Sequence, residues 1–266
     1  MAETKRRILV KLQYRGGAYL GWAIQPHGPS IQGAIQSALV RIIGTSPYVA
    51  TPSRTDAGVH AKGQLASFDI EHPTSLKRLF LGLNAVLPDD IAVVDMVEVP
   101  LENKVPKGIG KRYQYQIWWG PYFEPFLRET HWWIKKPLEL APMIEGAKLY
   151  LGTHDFKAFQ ASGCEAKTTV KTITMFDVSE GQRGGGRRIT LTVEGNGFLR
   201  HQIRIMAGTL ADLGQHKLSL EGLKTAINQG KRADSGQTAP PQGLTLEKIF
   251  RQPDPFETRG IDAWDA

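Results

Sequence analysis

The sequence predicts a mixed α+β fold in two halves. Three observations carry that expectation. The chain has 266 residues, just under two domains at about 150 residues each. Segments with an apolar period of two interleave with segments whose apolar residues recur every three to four positions, as strands and helices do. Glycine and proline number 28 and 16, so turns are frequent, while the 41% hydrophobic content is that of an ordinary globular chain.

Residues 8–14 (ILVKLQY) are β-prone and end in the turn signal Arg15-Gly16-Gly17. Residues 31–43 carry Ile31, Ile35, Ala38, Leu39 and Ile42 at helical spacing, with Ser30 as N-cap. The alternation of Leu65, Ser67 and Asp69 against Ala66, Phe68 and Ile70 predicts a strand. Residues 75–87 read as a helix that stops at Pro88, and residues 91–99 as a strand. The pattern β-α-β-α-β, with one short extra strand, is a ferredoxin-like split βαβ. Residues 100–110 are polar and turn-rich, and the expected division falls there, into 1–105 and 106–266.

The second half opens with the strand KRYQYQIWWG, in which Tyr113, Tyr115, Ile117 and Trp119 share one face. Residues 138–151 predict a helix with Pro142 in its first turn. The strands TVKTITMFDVSEG and RRITLTVEGNGF are joined by a glycine-rich hairpin, GQRGGGRR. A helix over 199–214, another over 219–228 and a strand over 244–250 follow, and the acidic end reads as a loosely held tail. His154-Asp155 reads as loop, and Trp118, Trp119, Trp132 and Trp133 as packing residues.

The single cysteine, Cys164, excludes an intrachain disulfide and points to a reducing, cytoplasmic setting. No run approaches the ~18 apolar residues of a membrane span, and the apolar stretch near the start is too short for a signal peptide. Lysines and arginines exceed acids by 33 to 26, a net charge of +7, which fits a nucleic-acid binder without requiring one. The seven histidines show no metal-ligand spacing, and there is no phosphate loop, GxSxG elbow or GxGxxG. The chain is expected to use neither metal nor cofactor.

Three segments carry possible chemistry. In Ser53-Arg54-Thr55-Asp56-Ala57-Gly58-Val59-His60, small residues after Asp56 permit close approach to a flat ligand. The neighbouring Arg54 favours an ionised carboxylate, as a nucleophile requires, and is also suited to a phosphate. The ordinary alternative is an Asx-turn aspartate and a surface arginine. In Gly195-Asn196-Gly197-Phe198-Leu199-Arg200-His201-Gln202-Ile203-Arg204, a glycine-rich turn opens a helix, and Arg200 and Arg204 would share one helix face. The alternative is two solvated arginines. Lys111-Arg112-Tyr113-Gln114-Tyr115 interleaves cations with aromatics on a strand, suited to stacking unpaired bases and holding phosphates. The alternative is a tyrosine pair lining a core.

Together these segments resemble the TruA family of tRNA pseudouridine synthases. Carrying the resemblance are Tyr14-Arg15-Gly16-Gly17-Ala18-Tyr19-Leu20-Gly21-Trp22, Ser30-Ile31-Gln32, Arg54-Thr55-Asp56-Ala57-Gly58-Val59-His60-Ala61 and Asn84-Ala85-Val86-Leu87-Pro88. Tyr113-x-Tyr115, Gly152-Thr153-His154-Asp155-Phe156, Gly197 through Arg204 and Ala239 through Leu244 continue it in order over almost the whole chain. The sequence departs from the family pattern at Arg15, Ala23, Ser53, Lys171 and Ile205 and in the segment before Tyr113.

The resemblance implies a cytoplasmic homodimer whose subunits each carry two ferredoxin-like halves, with mixed or antiparallel sheets, flanking a basic cleft. It implies isomerisation of uridine in the tRNA anticodon stem-loop, at positions 38, 39 and/or 40, without a cofactor. Asp56 would be the nucleophile, attacking either ribose C1′ or the uracil ring. Tyr113 would stack on the target base, and Arg204 would pair with Asp56. Arg54, Lys111, Arg112 and Arg200 would contact RNA. The rival reading is a non-catalytic RNA-binding or chaperone protein on the same scaffold, or a synthase acting on another RNA. A carboxylate beside RNA phosphates argues against mere binding, because it repels them.

Overall fold

The computed structural model describes residues 4–102 and 108–259. In chain order the elements are β1 (Arg6–Tyr14), α1 (Ile31–Ile43), β2 (His60–Ile70), α2 (Leu76–Val86), β3 (Ile91–Val99), β4 (Gly110–Trp119) and β5 (Trp132–Ile134). There follow α3 (Leu140–Leu149), β6 (Gly152–Asp155), β7 (Val170–Arg183), β8 (Gly186–Gly195), α4 (Gln202–Gly214), α5 (Leu220–Gln229), β9 (Leu244–Phe250) and α6 (Phe256–Arg259). The protein is thus a mixed α+β chain with mostly antiparallel pairing. It forms two compact units, residues 1–109 with 246–266, and residues 110–245.

In the first unit the strands run in the order β3-β1-β2-β9. β1 pairs antiparallel with both β2 and β3, and its Ile8, Leu9, Val10 and Leu12 are fully buried. The helices form where local signals permit. The Ser30 and Ser75 side chains each accept a backbone N–H from the first turn of α1 and α2. Gly44 ends α1 in the left-handed region, φ 73°. Ile31, Ile35, Ala38 and Leu39 of α1 and Leu79 and Leu83 of α2 are the buried stripes that hold the helices down.

Asn84 ties α2 to β3. Its amide donates to the Val93 carbonyl and accepts the Val93 N–H, both at 2.9 Å, so it acts as one more ladder residue. Asn84→Ala leaves both Val93 groups unsatisfied and is expected to cost about 2 kcal/mol. A urea melt of the variant measures this, and an unchanged midpoint would reject it.

In the second unit the order is β4-β8-β7-β6, with β5 parallel to β4. The β7–β8 hairpin turns over Gly184-Gly185, with Gly184 at φ 55°. Tyr113, Tyr115 and Ile117 lie on the buried face of β4, and α4 is buried nearly all round. Pro142 stands in the first turn of α3, where its missing N–H is not needed.

Two expectations change. His154-Asp155 is not loop: Gly152–Asp155 pairs with Ile173–Val170 as an edge strand. α4 starts at Gln202, three residues later than the periodicity implies, because His201 takes a left-handed conformation at φ 60°. Trp132 and Trp133 are strand residues of β5 that pair with Ile117 and Trp118, an alignment that a connection from Trp119 to Trp132 makes possible. Trp118 is fully buried as expected of a packing residue, whereas Trp119 and Trp133 are half-buried, with Arg187 and Lys135 over their rings at 4.9 and 4.5 Å. The loop expected over 100–110 and the acidic tail lie partly outside the described residues. Among the described residues no helix is long and apolar enough to cross a membrane.

Candidate active site

Asp56 and Arg54 belong to the first unit. Asp56 opens a tight turn: its carbonyl accepts the Val59 N–H at 3.2 Å, and Gly58 at the third position has φ 77°. That left-handed φ is what a type II turn demands there, and glycine supplies it without strain. Asp56 is half-buried, while Arg54 is exposed and makes no ion pair among the described residues.

The turn is held from behind by the segment that follows β1. The Trp22 N–H donates to the Thr55 carbonyl at 3.0 Å, and the Gly58 N–H to the Tyr19 carbonyl at 3.2 Å. The Gly16 N–H donates to His60 Nδ1 at 3.1 Å. The approach is so close that side chains are excluded. A Cβ on Gly16 would overlap the Val59 carbonyl oxygen, and one on Gly21 would lie 2.6 Å from the Thr55 oxygen. The glycines of the opening segment are therefore shaped to the Asp56 turn.

A buried hydrogen-bond network secures the approach to the turn. Gln64, fully buried on β2, donates to the Ser53 carbonyl at 2.8 Å and to the Tyr14 hydroxyl at 3.1 Å. Its Oε1 accepts the Leu65 N–H at 3.0 Å and the Thr51 hydroxyl at 3.1 Å. The Tyr14 and Thr55 hydroxyls share a bond of 2.8 Å. The Thr51 hydroxyl, the Ser53 carbonyl and the Thr55 hydroxyl are thus all hydrogen-bonded on the approach to Asp56. Sequence reasoning passed over Gln64 and the hydroxyl of Thr55. The available signal was a glutamine inside the run Gly63–Phe68 of β2, whose other residues are small or apolar.

The other candidates belong to the second unit. Tyr113 is 7% exposed, and the Phe198 ring meets it edge-on, with centroids 5.4 Å apart. Arg204, on the first turns of α4, is clasped to Ala239. Its Nε donates to the Ala239 carbonyl at 2.8 Å, and its own carbonyl accepts the Ala239 N–H at 3.0 Å. The next carbonyl, of Pro240, accepts the Tyr115 hydroxyl at 2.8 Å. Burial pushes the Tyr115 phenol well above its ordinary pKa, with the Arg204 charge acting in the opposite direction. The guanidinium is therefore held in position by the backbone of the Ala239-Pro240 segment.

Arg200 does not share a helix face with Arg204. It precedes α4, and its guanidinium donates to the Ser162 carbonyl at 3.1 Å. Its N–H points to the Cys164 sulfur at 3.4 Å, and its carbonyl accepts the Ala161 N–H. The cause is local: Gln202 Oε1 accepts the Leu199 N–H at 2.8 Å, which folds the chain back just before the helix. Arg112 donates to Glu194 on the neighbouring strand at 2.6 Å, and Lys111 lies beside it at the start of β4. Among the described residues no cluster of histidine, cysteine or acidic side chains has metal-binding geometry.

The family model for tRNA pseudouridine synthase matches residues 147–250. A tRNA pseudouridine synthase A from Myxococcus xanthus is 42% identical over 257 residues, 96% of each chain. Proteins of the same name from Geotalea uraniireducens and Geobacter sulfurreducens are each 39% identical, over 92% of this chain and 99% of theirs. Identity at that level over nearly the full length of both partners means that this chain belongs to the TruA family of tRNA pseudouridine synthases.

Proposed function

We propose that the protein converts uridine to pseudouridine in the anticodon stem-loop of tRNA, at positions 38, 39 and/or 40, with Asp56 as nucleophile. The observation that carries this reading is the Asp56 turn. A carboxylate on a small-residue loop, whose backbone is locked from behind by Gly16, Gly21 and the Gln64 network, is suited to rigid presentation to a flat substrate. Rigid presentation matters because no bond-making step tolerates a wandering nucleophile.

The chemistry is an isomerisation. The N1–C1′ bond of uridine breaks, the ring turns, and a C5–C1′ bond forms. The C5 hydrogen leaves to solvent as a proton, and N1 takes one up, so composition is conserved. A base inside a stem must first leave the stack. Tyr113 then replaces the lost stacking, Arg204 keeps the Asp56 carboxylate charged, and Arg54 holds the flipped nucleotide by its backbone. Lys111, Arg112 and Arg200 supply further RNA contacts. From the family resemblance come two ferredoxin-like halves with a basic cleft and a working homodimer in the cytoplasm.

The test is tritium release from tRNA labelled at uracil C5. The protein is expected to release label stoichiometrically with pseudouridine, mapping to positions 38 to 40. Tight, salt-sensitive tRNA binding without release would overturn the enzymatic reading in favour of a binding protein, and release mapped elsewhere would overturn the position.

A further inference from the structure

Two lysines at one end of the second unit's sheet, Lys111 and Lys171, share a face and make no ion pair among the described residues. Lys111 on β4 is directly opposite Gly195 on β8, and Gly195 is directly opposite Ile173 on β7. Lys171 precedes Ile173 by two positions on the same strand, so both project from one side of it. Directly opposed residues share a face. Lys111, Ile173 and Lys171 therefore share the face that carries Tyr113, and Gly195 between the outer strands adds no side chain. Phe198 closes over that gap, since a Cβ on Gly195 would lie 3.3 Å from its ring.

The platform is fixed. Asn196 and Thr172 exchange hydrogen bonds, Asn196 N–H to the Thr172 carbonyl and Thr172 N–H to Asn196 Oδ1, both at 3.1 Å. The charges around it are already engaged. Glu194 is held by Arg112, Asp155 accepts the Lys157 N–H, and His154, opposite Lys171 on β6, bonds to the Leu151 carbonyl. Neither lysine makes a hydrogen bond or ion pair among the described residues. Desolvation, with the Lys171 charge adding to it, pushes the Lys111 ammonium below its ordinary pKa. Keeping two half-buried like charges without a partner costs the free protein stability, and an anion between them recovers it.

We propose that Lys111 and Lys171 form a shared seat for a single RNA phosphate beside Tyr113 and Phe198. The occupant is a backbone phosphate rather than a free anion because an aromatic pair adjoins the seat, the combination that tracks nucleic-acid strands. The proposal deepens the tRNA reading and rests on it, and it gives Lys171, a departure from the family pattern, a place beside Lys111.

The test compares Lys111→Met, Lys171→Met and the double variant of the full chain. Affinity for an unmodified tRNA transcript is measured across a salt series, and thermal melting is measured without RNA. Each single variant is expected to weaken binding about 10-fold near 0.1 M salt and to flatten the log–log salt slope by about one. The double variant loses little more than either single, because one phosphate is shared. Without RNA, Lys171→Met melts at or above the wild-type temperature, since it removes a repulsion.

Unchanged affinity and slope would overturn the seat, as would losses that multiply in the double variant, which would mean two separate contacts. A drop in melting temperature for Lys171→Met would assign it a structural role instead. Tritium release by the wild type, run alongside, separates the two ideas. Weakened binding in a protein that never releases label keeps the seat and rejects the isomerase; normal binding by all variants of an active enzyme does the reverse.

Discussion

Asp56→Ala is expected to abolish tritium release from C5-labelled tRNA, lowering turnover by on the order of 10⁴-fold or more, as removal of a nucleophile does. Affinity for tRNA should stay within about threefold of wild type or tighten, because phosphate contacts dominate binding and the lost charge repels phosphate. Asp56→Asn keeps the shape of the side chain and should be equally inactive. Both variants retain the backbone carbonyl of Asp56 that accepts the Val59 N–H in the turn. Release within tenfold of wild type by either variant would remove Asp56 from the mechanism. Loss of binding together with loss of activity would point to a role in RNA recognition instead.

Gly16→Ala is the second large effect. The new methyl overlaps the Val59 carbonyl oxygen and lies 2.7 Å from its carbon, and both are backbone atoms that move only if the turn moves. Overpacking of this kind is expected to cost about 3 kcal/mol, seen as a fall in melting temperature of roughly 6–10 °C. Activity should fall beyond what lost stability explains, with kcat dropping more than KM rises, because the displaced segment carries Asp56. Gly17→Ala is the control. Nothing lies within 4 Å of its Cβ, so its stability should stay within about 0.5 kcal/mol of wild type. A Gly16→Ala variant as stable and active as the control would refute the account of why glycine stands there.

The large elements were legible because their signals are local. The apolar stripe of α1, its Ser30 cap and the alternation in β2 and β4 depend on residues a few positions apart, and the structure contains these elements within a few residues of where periodicity put them. The helix read over residues 138–151 despite Pro142 is also present, with Pro142 in the first turn of α3. Errors came where a single residue's conformation overrode periodicity. The stripe Leu199, Ile203, Met206 and Leu210 is real helix from Gln202 onward, but the left-handed His201 and the bond from Leu199 to Gln202 cut off its first turn. Arg200 was thereby moved off the helix and onto the loop at Ser162.

The candidate residues were visible through the resemblance their segments bear to a family, while the reasons for their neighbours were not. Nothing in the spacing of Gly16 and Gly21 says that the Asp56 turn packs against them, since the contact spans some forty residues. Gln64 is one glutamine among many until β2 carries it beneath Ser53 and Tyr14.

By itself, then, the amino-acid order determined the α+β class and the caps and periods of the long elements, and it marked the candidate segments. Each of these rests on interactions between near neighbours in the chain. Tertiary structure alone decided that the short polar stretch Gly152–Asp155 becomes a strand, that β9 pairs with β2 in the first unit, that Ala239 clasps Arg204, and that Lys111 and Lys171 come onto one face of the second unit's sheet. These depend on pairings between distant segments, whose closure the folded core stabilises and local preference does not encode.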